Sequence, residues 1–572
     1  MRGQYLTSTP VDVGTYRFSR AELSSAKFFG VLEFASQNQY VRTPDSPMDS
    51  GTLLLNREGG SMLYRPPEPR SLWGFWIIEW QGACHIFYDE DVDADYDLLS
   101  WQKNHDHIGH AVSEDLIHWD HLPSICAKGA PGEWNDMAHG GGVKTGCIVR
   151  HENRFYLFAG AAKDGVQVIG LWLSDDLVKW HQHPENPILR PTGPYYLDAP
   201  TKDRSMVGWR DPGILYSPED GCYHIVLCAQ LSDKDSQHYL GTTIGHVRSN
   251  DLVNWEYLPP VETPELADRF YQIEEPEIIQ IENRYYLMFD GGTTGGMRTC
   301  TPVREDVRGS FYMVGNSLTG PFTRPADDLL VGNDLGKRCA TTGRVVRWND
   351  ELVYVHFSIS RRSSLSAVKR VCVREDGTLY LKYMPEMEML ETAILYRSVG
   401  DLPSTESPDL GEWIMTDGRL SGDVELAGSV YRIGDEILDF HLSCCIHASS
   451  AVRAGIVLRI NRHGDSGVWP RGICVVLDFE RQRIFIGDAR SYPSTGWYCL
   501  PCEICGKSLS RDRNYRLRIL VRDEHLEVYL DDCWVFTFII PEASRAGAVE
   551  LMIERGKAEF SEFRLATIEP LD

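Results

Sequence analysis

Three seven-residue segments recur along the first half of the chain: Ser113-Glu114-Asp115-Leu116-Ile117-His118-Trp119, Ser174-Asp175-Asp176-Leu177-Val178-Lys179-Trp180 and Ser249-Asn250-Asp251-Leu252-Val253-Asn254-Trp255. All three read Ser-x-Asp-Leu, a β-branched residue, any residue, then Trp, at intervals of 61 and 75 residues. A period in this range implies repeated supersecondary units such as propeller blades. Each segment follows a short apolar strand, a polar turn and a second strand dense in aromatic and β-branched residues. Those second strands are Cys84-His85-Ile86-Phe87-Tyr88, Arg154-Phe155-Tyr156-Leu157-Phe158 and Cys222-Tyr223-His224-Ile225-Val226-Leu227. Two further copies, Arg284–Phe289 and Leu352–Phe357, keep the strand pair and lose the Ser-x-Asp-Leu tail. Five such units predict an all-β chain with a five-bladed β-propeller, because radial repetition of short antiparallel strands protects their edges. The tails are read as turns that pack one blade on the next.

A chain of 572 residues is too long for one core, so further domains are expected. The reading is a β-rich N-terminal extension over 1–65, the propeller over 66–395, and a linker with a C-terminal β-sandwich over 396–572. The linker is placed where Pro, Ser, Asp and Gly crowd together, in Asp401-Leu402-Pro403-Ser404-Thr405-Glu406-Ser407-Pro408-Asp409. The strands beyond it alternate, as in Arg516–Val521 and Leu526–Leu530, without helical periodicity. With 82 acidic against 57 basic residues and a net charge of -25, the surface repels phosphate, so neither nucleic acid nor an anionic membrane is an expected partner. No apolar run approaches the ~18 residues of a membrane span. The fifteen cysteines include Cys499, Cys502 and Cys505, but no second Cys or His pair stands at zinc-finger spacing, so neither metal nor cofactor is expected. An odd count, cysteines inside apolar strands and no leader-like start suggest free thiols and a cytoplasmic location. An oligomer is left open.

In a propeller the innermost strands start at the mouth of a central channel, so the residues just before them converge. Aligning the five units brings together Trp73-Gly74-Phe75-Trp76, Lys144-Thr145-Gly146-Cys147, Arg210-Asp211-Pro212-Gly213, Glu274-Glu275-Pro276-Glu277 and Thr342-Gly343-Arg344. Two neighbouring units carry carboxylates before a proline, with an arginine beside one. Singly, each reads equally as a salt-bridged turn or a solvated acidic loop. Together they form a carboxylate set suited to glycosidic bond cleavage, where one acid protonates the leaving oxygen and a second carboxylate attacks the anomeric carbon or activates water.

These residues resemble a known family. Ile108-Gly109-His110-Ala111-Val112-Ser113 through Trp119, Arg210-Asp211-Pro212, Glu274-Glu275-Pro276 and Tyr312–Phe322 are similar to glycoside hydrolase family 32, the invertases, inulinases and levanases, which shares a clan with family 68 and is allied to family 43. The likeness covers roughly residues 68–565 and includes an appended β-sandwich. It implies a hydrolase or transglycosidase acting on an oligosaccharide or small glycoside, fructofuranosides first and arabinofuranosides second. It also implies Asp211 as transition-state stabiliser oriented by Arg210, and Glu274 as general acid/base with Glu275 beside it. Which glutamate faces inward stays open.

The chain departs from the family in the first unit. The family's nucleophilic Asp precedes the first inner strand, and matching against Asp211 puts Gly74 at that position. Three explanations stand side by side. A substitution at 74 silences an active enzyme; the role has moved to Asp89 or Asp91 in Asp89-Glu90-Asp91, at the end of the second strand; or the protein binds carbohydrate without cleaving it. Trp73 and Trp76 are candidates for stacking on a sugar, although aromatic strand starts equally build core. His107, Thr145, Asp136 and Asp290 are further rim or pocket candidates, and Lys337 and Arg338 could meet an anionic group or the acidic rim.

Overall fold

The computed structural model describes residues 64–91, 107–136, 143–202, 206–232, 242–266, 270, 273–292, 308–333, 340–358, 363–403, 412–461, 471–488, 496–501, 509–540 and 546–569. The N-terminal extension expected over 1–65 therefore lies outside the described residues, apart from Tyr64 and Arg65.

Four antiparallel four-stranded sheets follow one another in a propeller arrangement, each a simple meander. The first holds β1 (Ser71–Trp80), β2 (Ala83–Asp91), β3 (His107–Ser113) and β4 (Asp120–Cys126). The second holds β5 (Lys144–His151), β6 (Arg154–Lys163), β7 (Val166–Ser174) and β8 (His181–Gln182). The third holds β9 (Trp209–Ser217), β10 (Cys222–Gln230), β11 (Thr242–Ser249) and β12 (Glu256–Leu258). The fourth holds β13 (Ile273–Ile281), β14 (Arg284–Gly292), β15 (Arg308–Gly315) and β16 (Leu329–Asn333). Next come β17 (Ala340–Trp348), β18 (Glu351–Ser358), β19 (Ser364–Leu365), β20 (Lys369–Val373) and β21 (Leu379–Lys382), which run on into the C-terminal sheet. The inner strands touch in a ring: β1 against β5, β5 against β9, β9 against β13, β13 against β17 and β17 against β1. Aromatic and branched side chains of successive sheets fill the gaps between them, as where Trp76, Phe87, Leu157 and Trp172 share one cluster.

The repeated tails are turns built by their own side chains. Ser113 Oγ accepts the Leu116 N–H at 2.8 Å, and Asp115 Oδ1 accepts the Ile117 and His118 N–H groups at 2.8 and 2.7 Å. The third copy repeats this, with Leu252 N–H on Ser249 Oγ and the Val253 and Asn254 N–H groups on Asp251 Oδ1. The leucine of each copy takes a left-handed conformation, φ 66°, 63° and 66° for Leu116, Leu177 and Leu252. That conformation is costly for a residue with a Cβ, and burial of all three leucines offsets it. Ser and Asp supply the acceptors and Leu the buried anchor, so the motif records packing, as its sequence suggested.

The C-terminal strands are organised by one long strand, Gly547–Ile568. Its first half pairs with Arg419–Ile437 and Arg453–Asn461, and its second half with Phe440–His447 and Glu391–Tyr396. Since Glu391 already pairs with Ile568, strand pairing with the C-terminal sheet begins ahead of the Pro-rich stretch. A large apolar cluster running from Val399 to Leu565 fills most of this region, with a smaller one around Val476, Phe485 and Met552. Where it meets β20, Lys369 is fully buried and bonds Glu527 Oε1 at 3.0 Å and His356 Nε2 at 2.7 Å.

Cys84, Cys147, Cys228, Cys444, Cys445 and Cys474 are buried free thiols, as expected for cysteines within apolar strands. Cys533 departs from that expectation, being disulfide-bonded. Cys502 and Cys505 lie outside the described residues. No helix among the described residues is long and apolar enough to cross a membrane.

Candidate active site

Every inner strand carries a bulge at the same level, and this irregularity builds the site. Leu72 pairs with Glu90 and Phe75 with Tyr88; Lys144 with Gly160 and Cys147 with Phe158; Arg210 with Cys228 and Gly213 with Val226. Glu274 pairs with Asp290 and Glu277 with Met288, and Thr341 with Phe357 while Gly343 pairs with His356. One extra residue on each inner strand bends it and re-aims a side chain. Asp211, Glu275 and Thr342 sit at these bulges with φ of 56°, 52° and 34°. Strained backbone of this kind persists only where its surroundings hold it, and it concentrates at functional sites.

The shared bulge fixes a register that differs from the one read off the sequence. Trp73, Thr145, Asp211, Glu275 and Thr342 are equivalent, and Lys144, Arg210 and Glu274 stand one residue before them. The position of Asp211 is therefore matched in blade one by Trp73 and not by Gly74. The sequence comparison could not see this because a bulge changes the count without leaving a gap. Trp73 is half-buried and lies 6.0 Å from the ring of Phe357 on β18.

Gly74 has a reason of its own to be glycine. A Cβ there would lie 2.0 Å from Thr145 Oγ1 and 2.7 Å from Glu275 Oε1. Gly74→Asp is accordingly expected to destabilise the chain by about 1–3 kcal/mol through overpacking and to create no activity, which thermal melting and a fructoside assay on the purified variant check. A gain of turnover in that variant would restore the idea of a silenced enzyme.

Three cations hold the carboxylates. Arg210 Nε lies 3.0 Å from Asp211 Oδ2 and its Nη2 lies 3.4 Å from Glu274 Oε1, so one guanidinium spans two blades. The Glu275 N–H also reaches Asp211 Oδ2, at 3.4 Å. Arg344 donates from Nη2 to Glu275 Oε2 at 3.0 Å, from Nη1 to the Glu275 carbonyl at 3.2 Å and from Nε to the Phe75 carbonyl at 3.0 Å. It thus ties β17 to both of its neighbours, β13 and β1. Lys144 completes the set beside Asp89 and Asp211. Burial depresses the Lys144 ammonium, while those two carboxylates pull the other way.

The two glutamates take different directions. Glu275 is buried against Arg344, whereas the Glu274 side chain keeps 38% of its surface exposed, the most open carboxyl of the group. Burial raises Glu275 well above the usual carboxylate range, against the pull of Arg344. Burial also raises Asp211 above its ordinary value despite the neighbouring Arg210, which opposes it. The adjacent guanidinium by itself would lower Asp211, but the depth at which this strand start is buried outweighs it. Asp89 is 3% exposed and accepts a hydrogen bond from Thr145 Oγ1 at 3.4 Å. Burial pushes it well up, with Lys144 opposing and Asp211 adding to the rise.

Other candidates fall elsewhere. Trp76 is 2% exposed, stacks on its cross-strand partner Phe87 at 6.4 Å and shares a cluster with Leu157 and Trp172 of the next sheet, so it belongs to the core and not to a sugar platform. His107 pairs with Glu90, on the face of β2 that alternation turns away from Asp89. Asp91 shares the face of Asp89 but pairs with Ser71, beyond the bulge. Asp136 lies on a loop where Lys163 Nζ approaches it at 3.8 Å. Asp290 is buried and is among the charges acting on Glu275. Lys337 and Arg338 lie outside the described residues. Lys144 and Arg344 were within the aligned stretches without a role. The available signal was a cation at the aligned position of Arg210, and an arginine directly after Gly343 in the fifth aligned stretch.

Against known proteins, the sequence model described as the glycosyl hydrolases family 32 N-terminal domain matches residues 74–337, a span that includes Lys144, Asp211 and both glutamates. The chain is glycoside hydrolase family 32-like. A bifunctional 6(G)-fructosyltransferase/2,1-fructan:2,1-fructan 1-fructosyltransferase of Allium cepa is 34% identical over 191 residues, 32% of this chain and 27% of that protein. This family 32-like chain thus spans about a quarter of that plant relative's length. A sucrose-6-phosphate hydrolase of Zymomonas mobilis is 22% identical over 532 residues, 88% of this chain and 90% of that protein. Among solved structures, the family 32 β-fructofuranosidase of Bombyx mori superposes with a TM-score of 0.57 at 14% identity, covering 88% of this chain and 91% of its own. That likeness speaks to the fold.

Proposed function

We propose that this family 32-like chain is a glycoside hydrolase or transglycosidase that cleaves fructofuranosides by carboxylate acid/base catalysis. The observation that carries the reading is the pair held by Arg210: buried Asp211 on one blade and open Glu274 on the next. Glu274, facing the channel, protonates the leaving oxygen. Asp211, fixed by Arg210 and by the Glu275 N–H, accepts furanose hydroxyls and balances positive charge growing at the anomeric carbon. Glu275 does not act on substrate in this reading; with Arg344 it forms the floor beneath. The fructosyl-processing relatives favour fructofuranosides over arabinofuranosides.

The same proposal takes β17, β18, β20 and β21 as a fifth blade, supported by their shared bulge and by the contacts of β17 with β1 and β13. It takes the C-terminal strands as a β-sandwich, supported by the way Gly547–Ile568 serves two groups of strands over one large apolar cluster.

Incubation with sucrose, inulin, levan and aryl arabinofuranosides, followed by time-resolved NMR, tests the reading. Release or transfer of fructose is expected. Binding of these sugars without turnover of any would instead support a carbohydrate-binding protein, the reading that Trp73 at the register of Asp211 favours.

A further inference from the structure

Each carboxyl group assigned to the reaction sits at or beside a left-handed residue, Asp211 at φ 56° and Glu274 next to Glu275 at φ 52°. We propose that Arg344, on β17, is a positioning residue: it fixes the peptide unit between Glu274 and Glu275, and through that unit sets both the acid Glu274 and the stabiliser Asp211. The inference rests on the fructofuranoside-cleaving reading above.

Glu275 is followed by Pro276. A residue before proline ordinarily takes a φ of about −120°, and a left-handed value is unfavourable for any side chain with a Cβ. Such a conformation persists only where its surroundings hold it. Arg344 holds Glu275 twice, donating from Nη2 to Oε2 at 3.0 Å and from Nη1 to the carbonyl at 3.2 Å, while its Nε donates to the Phe75 carbonyl at 3.0 Å. All three guanidinium nitrogens thus have fixed acceptors, and the residue is 3% exposed. From the other side β9 comes close: a Cβ on Gly213 would lie 2.4 Å from the Pro276 carbonyl oxygen. The segment from Glu274 to Pro276 is held between β9 and Arg344.

One peptide unit connects this clamp to the chemistry. The Glu275 N–H donates to Asp211 Oδ2 at 3.4 Å, beside Arg210 Nε at 3.0 Å. The same unit carries Glu274, whose Oε1 lies 3.4 Å from Arg210 Nη2. Relaxing the φ of Glu275 towards an ordinary value turns that unit. The turn displaces the Glu274 carboxyl from the leaving oxygen and withdraws a donor from Asp211. Arg344 acts through Glu275 and does not itself touch the sugar. A lysine in its place keeps a charge opposite Glu275, but a single ammonium lacks the planar fork that reaches acceptors in three directions.

The test is steady-state kinetics on sucrose or inulin with the unaltered chain, Arg344→Lys, Glu274→Gln and the double variant, each well below its melting temperature. Arg344→Lys is expected to lose about 10²-fold in kcat with KM within a few-fold, the scale of a misplacement of about 1 Å. With Glu274→Gln already present no acid remains to be misplaced, so the same change is expected to cost about tenfold or less, the remainder acting through Asp211. Should Arg344→Lys fail to fold, Arg344→Met combined with Glu275→Gln leaves no partner of the ion pair stranded and carries the same expectation for kcat. An Arg344 variant within about threefold of the unaltered chain, a loss confined to KM, or a loss of equal size with and without Glu274→Gln overturns the positioning role and leaves the fructofuranosidase reading standing. An unaltered chain inert on every furanoside sinks both.

Discussion

Replacing Glu274 by Gln is expected to lower kcat on sucrose or inulin about 10³-fold while leaving KM within a few-fold. Positioned proton donors contribute on the order of 10²–10⁴ to rate, and the amide cannot give a proton to the leaving oxygen. The substitution preserves shape, and the contact of 3.4 Å from Arg210 Nη2 to Glu274 Oε1 is one a Gln carbonyl can accept. Binding and folding should therefore survive. A fructosyl fluoride, whose leaving group needs little protonation, should lose far less than sucrose does. Equal losses on both substrates would mean that Glu274 positions the sugar instead of delivering a proton. Unchanged turnover on sucrose would remove it from the mechanism altogether.

The second large effect is on stability. Arg344→Leu should destabilise the chain by about 3–5 kcal/mol at neutral pH, the range for removing one partner of a buried ion pair. Arg344 and Glu275 are both buried, with side chains 4% and 8% exposed. Removing the guanidinium strands the carboxyl and also frees the Phe75 and Glu275 carbonyls that Arg344 ties together. The loss should depend on pH in a defined direction. Glu275 stands above its ordinary value in the folded chain, raised by burial, and Arg344 is the largest force holding it down. Without Arg344 it rises further, so the protonated form is the one the fold tolerates. Stability is then retained below the unfolded carboxylate range and lost as pH rises through the folded value. Melting temperatures of the variant should fall between pH 5 and pH 8 by more than those of the unaltered chain. Adding Glu275→Gln should recover much of the loss at pH 8. A variant whose deficit is the same at both pH values would mean that lost packing, not the stranded carboxyl, sets the cost.

Much of this was legible in the linear chain because it is local. The Ser-x-Asp-Leu tails encode their own turns, in which serine and aspartate oxygens meet backbone N–H groups within three residues. Alternating apolar strands with polar turns gave the propeller arrangement, and Arg210-Asp211-Pro212 with Glu274-Glu275-Pro276 marked the two blades that carry the acids. The parts that were missed are those where one strand meets another. A β-bulge adds a residue without any compositional mark, so the register that pairs Trp73 with Asp211 was displaced to Gly74 by one position. The burial that raises Asp211 against its own arginine, and that removes Trp76 from any sugar, comes from neighbouring blades.

The sequence by itself determined the repeated β architecture, the acidic surface and the residues that form the carboxylate cluster, because each follows from short-range patterning. Only the tertiary structure decided that Glu274 keeps an exposed side chain while Glu275 turns to Arg344, that Gly74 is fixed by the approach of Thr145, and that Asp89 stands beside them. Those outcomes depend on contacts between residues more than fifty positions apart, whose geometry is set by how five bulged strands meet around one axis.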